Sequence, residues 1–513
     1  MKKTVSRRIR NVPASRIAHG VLLTSLLLVL SACAVGPTYH KPSPPEVKGY
    51  TAAPVAATIP AAQSATGTVA GGQTLKYGVS VNPEWWKGFG SPALDQLVAE
   101  ALENNPDLAA AQATLEEAQF NLKAAKGVFY PQVSLGLGGE RTRTSGADSG
   151  GIAGPQLYNL YTGAVSVSYY PDVFGLNRLV TRGEQAQVDI AHDQLTAARL
   201  TIEGNVVTMA LDLAALEDEV AAIKQTVSDQ RQILDLTSTQ YQLGSASQLD
   251  VLIQASQLAS SEAQLPKLEQ ARDQARHLLA TYLGKFPSET GGMNAPALAD
   301  LHLPATLPMS LPSTLVQERP DILAAEAQLR AANAQVGEAV ARMYPSLELT
   351  GNFGDQSNNG GDLFDPASRI WNLAASIVLP LFEGGALEAQ KHATEAAYRA
   401  VFANYQSTVL GAFRNVADVL RALQHDSALL DAEARALQSA QQAFALVQTQ
   451  YQAGAVDYPT LLISEIQFQN ARIAFVQAEA QRYADTAALY VALGGGEWAN
   501  LPVPKHETAS SSH

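Results

Sequence analysis

The chain has 513 residues, 46% of them hydrophobic and only 16% charged, with a formal net charge of -13. That apolar fraction excludes disorder as the main state, and the acidic excess argues against a nucleic-acid partner, since phosphate binding wants clustered positive charge. A single cysteine excludes a disulfide framework, an iron–sulfur cluster and a cysteine-based zinc site.

Residues 1–32 read as an export signal. Lys2, Lys3, Arg7, Arg8, Arg10 and Arg16 make a basic start, and an apolar run follows over residues 21–30. Ten residues fall well short of the ~20 that a membrane-spanning helix needs. The run ends in Leu30-Ser31-Ala32-Cys33, which resembles the bacterial lipobox, a small residue before a cysteine that is lipidated and becomes the first residue. The alternative is an ordinary signal peptide cut near Ala32, leaving a free thiol. Ala34 is not the aspartate that often signals inner-membrane retention, which points to the outer membrane. Cleavage removes six of the 35 basic residues and none of the 48 acidic ones, taking the charge from -13 to -19. No other stretch carries 18 consecutive apolar residues, so a membrane-spanning mature chain has to use β-strands.

Residues 33–80 read as the anchored N-terminus and a linker, rich in Ala, Pro, Gly and Thr from 41 onward. Beyond it the sequence repeats. Asn104-Asn105-Pro106-Asp107-Leu108 returns as Glu318-Arg319-Pro320-Asp321-Ile322, and Tyr130-Pro131 as Tyr344-Pro345, both 214 residues on. Pro171-Asp172-Val173-Phe174-Gly175 returns as Pro380-Leu381-Phe382-Glu383-Gly384 at an offset of 209. Tyr241-Gln242-Leu243-Gly244 returns as Tyr451-Gln452-Ala453-Gly454, and Leu283-Gly284 as Leu493-Gly494, at 210. Ordered matches at nearly one offset indicate a duplicated half of ~210 residues. The boundaries are 81–290 for the first repeat and 291–498 for the second, with 499–513 a frayed tail.

Each half reads helix, strand, strand, very long helix, turn, helix. In the first long helix Ile202, Val206, Met209, Leu213, Leu216, Val220, Ile223 and Val227 step by four and three. In the second, Phe402, Tyr405, Val409, Ala412, Val416, Val419 and Leu423 do the same, and Leu430, Leu437, Phe444 and Tyr451 continue at sevens. A 3.5-residue repeat of that length means coiled-coil packing. Residues 178–242 would span ~98 Å, and the shorter helices 107–128 and 247–283 ~33 and ~56 Å, so two short helices end to end match one long one. Pro266 is expected to kink the second of them. The strands alternate: Val133, Leu135 and Leu137 against Ser134, Gly136 and Gly138; Leu347, Leu349 and Phe353 against Glu348, Thr350 and Asn352. Period two with one apolar face fits a half-buried soluble sheet or a membrane barrel. Membrane barrels start at about eight strands and tolerate no open edge in lipid, so four strands per chain imply a barrel shared by two, three or four copies.

These features resemble the TolC-like outer membrane factor family, in its lipoprotein branch. The matches are Cys33-Ala34-Val35-Gly36-Pro37 with Tyr39 and Pro42; Trp85-Trp86 with Phe89 and Leu94; Asn105-Pro106-Asp107-Leu108; Tyr130-Pro131; Arg319-Pro320-Asp321; and Leu493-Gly494-Gly495-Gly496 with Trp498. The resemblance implies a mainly α protein with a small β part. It implies a homotrimer whose 12-stranded transmembrane β-barrel continues into a long coiled-coil α-helical barrel through the periplasm. The implied partners are a periplasmic adaptor, an inner-membrane transporter and outer-membrane lipid. The hairpin turns at Gly244 and Gly454 would form the periplasmic gate, with Asp250 and Tyr451 at the positions of a polar link that holds it closed; Asp250 as a simple helix cap is the alternative. Glu348 would face the water-filled lumen. The second hairpin departs from the family: Gln452 and Val456 stand where a basic residue is often found, and Thr460 and Ile463 where some members carry constricting carboxylates. An acidic constriction would have to come from Asp457 or Asp250.

No Gly-x-Ser-x-Gly elbow and no phosphate-binding loop occurs in the sequence, and Gly494-Gly495-Gly496 follows a helix as a C-terminal stop. His192, His277, His392 and His425 are scattered. The expectation is therefore an outer-membrane exit duct for small molecules, driven by its transporter partner, with no cofactor, metal site or catalysis. The rivals are a duct for protein secretion, a structural coiled-coil lipoprotein without a channel, and a lipid-held enzyme, for which no catalytic constellation appears.

Overall fold

In the computed structural model the described residues are 35–47, 49–64, 67–145 and 155–496. The signal segment, Cys33, Ala34, Trp498 and the tail 499–513 lie outside them. In chain order the strands are β1 (Thr58–Ile59), β2 (Ala62–Ser64), β3 (Gly67–Ala70), β4 (Gln73–Tyr77), β5 (Gln132–Thr144), β6 (Gln156–Tyr169), β7 (Thr306–Met309), β8 (Ser346–Ser357) and β9 (Arg369–Val378). The α-helices are α1 (Pro92–Asn104), α2 (Pro106–Lys126), α3 (Leu176–Gln242), α4 (Gln248–Tyr282), α5 (Pro312–Glu318), α6 (Pro320–Ala341), α7 (Ala386–Gln452) and α8 (Tyr458–Ala492). The long helices have 67 residues each and the returning helices 35 each, so the duplication survives residue for residue. Pro266 sits inside α4 without ending it.

The chain forms two compact units. Among the described residues, one gathers 35–41, 116–145, 155–189 and 326–404, and its sheet has the antiparallel order β5-β6-β8-β9. The strands within each repeat pair as a hairpin, and β6·β8 joins the repeats, with Val167 opposite Gly351. The N-terminal segment packs in this unit: Asn333 Nδ2 donates to Pro37 O (3.2 Å), the Tyr39 hydroxyl to Glu326 (3.2 Å), and Lys41 pairs with Glu326 (2.8 Å).

The other unit gathers the described residues of 42–115, 190–325 and 405–496. Its heptad positions make the core: Ile202, Val206, Leu213, Val220, Ile223 and Val227 are buried, as are Tyr405, Val409, Ala412, Val416, Leu423 and Leu430. Burying each such side chain contributes roughly 1.5–3 kcal/mol. The repeated motifs acquire a physical reason here. Asn105 caps α2 by accepting from Asp107 N (2.9 Å) and Leu108 N (3.2 Å), while its Nδ2 donates to Tyr282 O at the end of α4 (2.9 Å). Arg319 does the equivalent work in the second repeat, donating to Ala492 O at the end of α8 (2.7 Å) and pairing with Asp321 (2.7 Å).

Residues 41–80, read from sequence as a linker, are not one throughout. β1 and β4 build a sheet with β7, in which β4 and β7 run parallel, Thr74 opposite Thr306. Ile59, Gln73, Leu75, Leu307 and Met309 are buried there. The strands are only two to five residues long and the parallel partner is some 230 positions away, so no local periodicity reveals them.

Candidate functional site

The four-stranded sheet has two chemically opposite faces. Register puts Val133, Leu135 and Leu137 of β5, Val165 and Val167 of β6, Leu349 and Phe353 of β8, and Trp371, Leu373 and Ile377 of β9 on one side. All are exposed, Trp371 by 75% and Leu373 by 80%. An exposed apolar face of this extent marks contact with lipid or another chain. The other side carries Ser134, Ser166, Ser168, Thr350, Asn352, Asn372 and Ser376, together with Glu348 opposite Ser376. Glu348 accepts a 2.6 Å hydrogen bond from the Tyr170 hydroxyl. Tyr170 was not singled out by sequence reading, because it lies one residue beyond the alternating strand.

The second candidate lies at the two helical turns. α3 ends with Gly244 at φ 79°, Ser245 N donating to Gln240 O (2.8 Å) and Gly244 N to Tyr241 O (3.0 Å). α7 ends the same way, with Gly454 at φ 71°, Ala455 N on Gln450 O (2.9 Å) and Gly454 N on Tyr451 O (2.9 Å). This left-handed glycine stop satisfies the last carbonyls of each helix, as the turn glycines led us to expect. Ser247 then starts α4: its Oγ accepts from Asp250 N (3.1 Å), and the Asp250 carboxylate accepts from Ser247 N (2.9 Å) and Ser247 Oγ (2.7 Å). Asp457 starts α8 by accepting from Thr460 N (3.2 Å) and the Thr460 hydroxyl.

Asp250 and Tyr451 therefore reach the same region without hydrogen-bonding to each other among the described residues. The Tyr451 hydroxyl donates instead to Gln240 Oε1 (3.1 Å), joining the end of α7 to the end of α3, and its ring meets Tyr458 edge-on at 6.0 Å. Gln240 and Tyr458 were missed, since neither belongs to a charged or turn motif. Arg231–Glu262 (2.6 Å), Lys224–Glu269 (2.9 Å) and Arg276–Glu217 (2.6 Å) tie α3 to α4, while Phe444 stacks on Phe468 at 5.7 Å between α7 and α8.

Glu465, buried on α8, accepts from Gln469 Nε2 (3.0 Å). Burial pushes its carboxyl up to about 7; Asp229 adds to the rise, and the neighbouring Gln230 and Gln469 amides oppose it. The folded chain thus holds this proton to higher pH than the unfolded chain, whose glutamate releases it near 4.5. Stability falls as pH rises through that window, and the full cost is present above it. Glu465→Gln is expected to raise stability at pH 8 by on the order of 2 kcal/mol and to change nothing at pH 4. Thermal melts at both pH values check this; an equal shift at both would refute the titration.

A duplicated chain that pairs an amphipathic four-stranded sheet with two coiled-coil hairpins has the makings of a membrane duct. The sequence model of the outer membrane efflux protein family matches residues 97–285 and 311–495, one segment per repeat. The chain belongs to that family, and it is an outer-membrane efflux channel of a Gram-negative bacterium. It is 31% identical over 427 residues to the pyoverdine export outer membrane protein OpmQ of Pseudomonas putida, covering 82% of this chain and 89% of OpmQ. It is 30% identical over 484 residues to the outer membrane protein OprJ of Pseudomonas aeruginosa, covering 93% and 96%. Among solved structures, the outer-membrane channel OprN superposes with a TM-score of 0.79 at 26% identity, covering 90% of this chain and 99% of OprN.

Proposed function

We propose that three copies of this chain close one 12-stranded barrel in the outer membrane and one α-helical barrel below it, forming the passive exit duct of a tripartite efflux pump. A periplasmic adaptor and an inner-membrane transporter complete the pump, and the transporter supplies the energy and chooses the cargo. The chain itself uses no cofactor and catalyses nothing. Lipid on Cys33 anchors the N-terminus. The repeats extend over 81–290 and 291–498. The observation that carries this reading is the two-faced sheet: an apolar face meets lipid, a polar face with Glu348 lines water, and the outer edges of β5 and β9 must pair because hydrocarbon satisfies no backbone groups. Small molecules fit better than proteins as cargo, in keeping with the pyoverdine export ascribed to OpmQ.

The turns at Gly244 and Gly454 form the gate at the periplasmic tips. Tyr451 bonded to Gln240 holds them together, and Asp250 keeps the start of α4 rigid. One neutral hydrogen bond is worth about 1 kcal/mol, so losing it shifts a closed–open equilibrium about fivefold. Single-channel recordings in planar bilayers are expected to show small, mostly closed currents for the wild type and about fivefold higher open probability for Tyr451→Phe or Gln240→Ala. Raised currents for Asp250→Ala alone would transfer the latch to Asp250. An absence of current from inserted protein would favour the structural lipoprotein.

A further inference from the structure

The N-terminal segment climbs α6 toward the four-stranded sheet. Lys41 and Tyr39 meet Glu326, Pro37 meets Asn333, and Gly36 lies on Gly337. Between 326 and 337 the helix rises ~16 Å. Val35 N then donates to Phe174 O (3.2 Å), in the connection between β6 and α3. Gly36 has φ 120°, and a Cβ on it would come 3.0 Å from Gly337 Cα, so glycine at both positions lets the two backbones touch. Cys33 is two residues beyond Val35, at most ~7 Å of extended chain. A lipid on Cys33 therefore enters the bilayer beside this segment, which brings the headgroups of the periplasmic leaflet against the same stretch of helix.

Next to the segment a cavity of about 660 Å³ opens between α6 and α7. Its α6 wall carries Val336 and Val340, and its α7 wall carries Lys391, Glu395 and Arg399. The three charged residues come four apart, on one face of the helix. The cations are held loosely. Lys391 lies 3.6 Å from Glu388 and 4.0 Å from Glu395, both beyond hydrogen-bond length. Arg399 is exposed and enters no ion pair among the described residues. Glu395 has His392 as its close partner, at 3.1 Å.

An apolar wall facing two cations around one carboxylate has the polarity of a lipid headgroup that carries both a phosphate and a primary amine. A free anion would use the cations and be repelled by Glu395, and so would an anionic headgroup without an amine. Lys391 and Arg399 bracket Glu395 by one turn on each side, so a phosphate between them and an ammonium on Glu395 leaves no charge opposed. We infer that this cavity binds the headgroup of an aminophospholipid of the periplasmic leaflet, of the phosphatidylethanolamine type, with its phosphate on Lys391 and Arg399, its amine on Glu395 and its acyl chains leaving past Val336 and Val340. This inference rests on the membrane placement and the Cys33 anchor proposed above.

The test titrates the full-length lipidated protein in detergent with short-chain phosphatidylethanolamine and phosphatidylglycerol, read by native mass spectrometry. Wild type is expected to bind the first about tenfold more tightly than the second, the worth of one charge-assisted hydrogen bond. Lys391→Gln and Arg399→Gln should each weaken both lipids about tenfold. Glu395→Gln should abolish the preference and leave phosphatidylglycerol bound at least as tightly. Arg399→Lys keeps the charge and should keep most of the binding, and circular dichroism confirms the helix content of every variant. Affinities that neither cation variant moves overturn the site. An affinity for inorganic phosphate equal to that for the lipid makes this a free-anion site and overturns the lipid. A preference that survives Glu395→Gln overturns the headgroup assignment. The intact mass of the mature chain judges the anchor separately: without acyl groups the Cys33 reading falls, while the titration still decides the cavity.

Discussion

Arg482→Met is expected to destabilise the unit that holds the coiled-coil core by about 3–5 kcal/mol, the range for breaking a buried charged network from one side. Arg482 is 1% exposed. Its guanidinium donates to Leu423 O and to Gln73 Oε1, the latter at 2.6 Å. Gln73 in turn donates to Pro304 O (3.2 Å) and to the Thr486 hydroxyl (3.4 Å). One side chain thereby clamps β4, the approach to β7, α7 and α8. Asp426 and Asp485 face it, and burial, reinforced by Asp485, pushes the Asp426 carboxyl up to about 7. Methionine fills the volume but leaves Gln73 and the Leu423 carbonyl unpaired and the two aspartates without their cation. Thermal unfolding followed by far-ultraviolet circular dichroism checks this. A melt within a degree of wild type would show that the network contributes little beyond shape.

Gly354→Ala is expected to reduce assembled channel in the outer membrane more than tenfold, in keeping with the cost of forcing backbone apart in a packed element. A Cβ at Gly354 would lie 2.2 Å from Gly163 O and 2.5 Å from Ala164 Cα, inside the β6·β8 ladder. These are backbone atoms and cannot swing aside, so the strands must part where the repeats join. Gly351→Ala, three residues earlier on the same strand, meets nothing nearer than 3.7 Å and should assemble normally. Heat-modifiable migration of membrane extracts distinguishes the two variants. Equal assembly would mean that the ladder adjusts at little cost.

The repeated motifs and heptads carried most of the architecture in the sequence, because both are periodic signals written many times over. Strand alternation likewise placed Glu348 on the polar face before any register was known. The rest depended on single long-range meetings. Gln73 with Arg482 and β4 beside β7 leave no local pattern, so residues 41–80 looked structureless. At the helical turns, sequence reading expected a polar link between Asp250 and Tyr451, and the two side chains have other partners. The alternative it held open, Asp250 as a helix cap, is what the structure has, with Ser247 three positions before it as the partner, while Tyr451 meets Gln240 at the end of α3. A helix cap within one turn costs less chain entropy than a tertiary contact, and local competition of that kind is not visible in spacing alone.

Equal lengths of 67 and 35 residues in the two halves restrict how such a chain can change in size. A heptad advances a helix by about 10.5 Å and returns its apolar seam to the same side. Lengthening one hairpin alone would lift one tip above the other and part Tyr451 from Gln240. Growth by any number other than seven would rotate the seam away from its partner. Insertions are tolerable only as matched sets, seven residues in α3, α4, α7 and α8 together, so variation in reach among such ducts should occur in steps of about 1 nm per set.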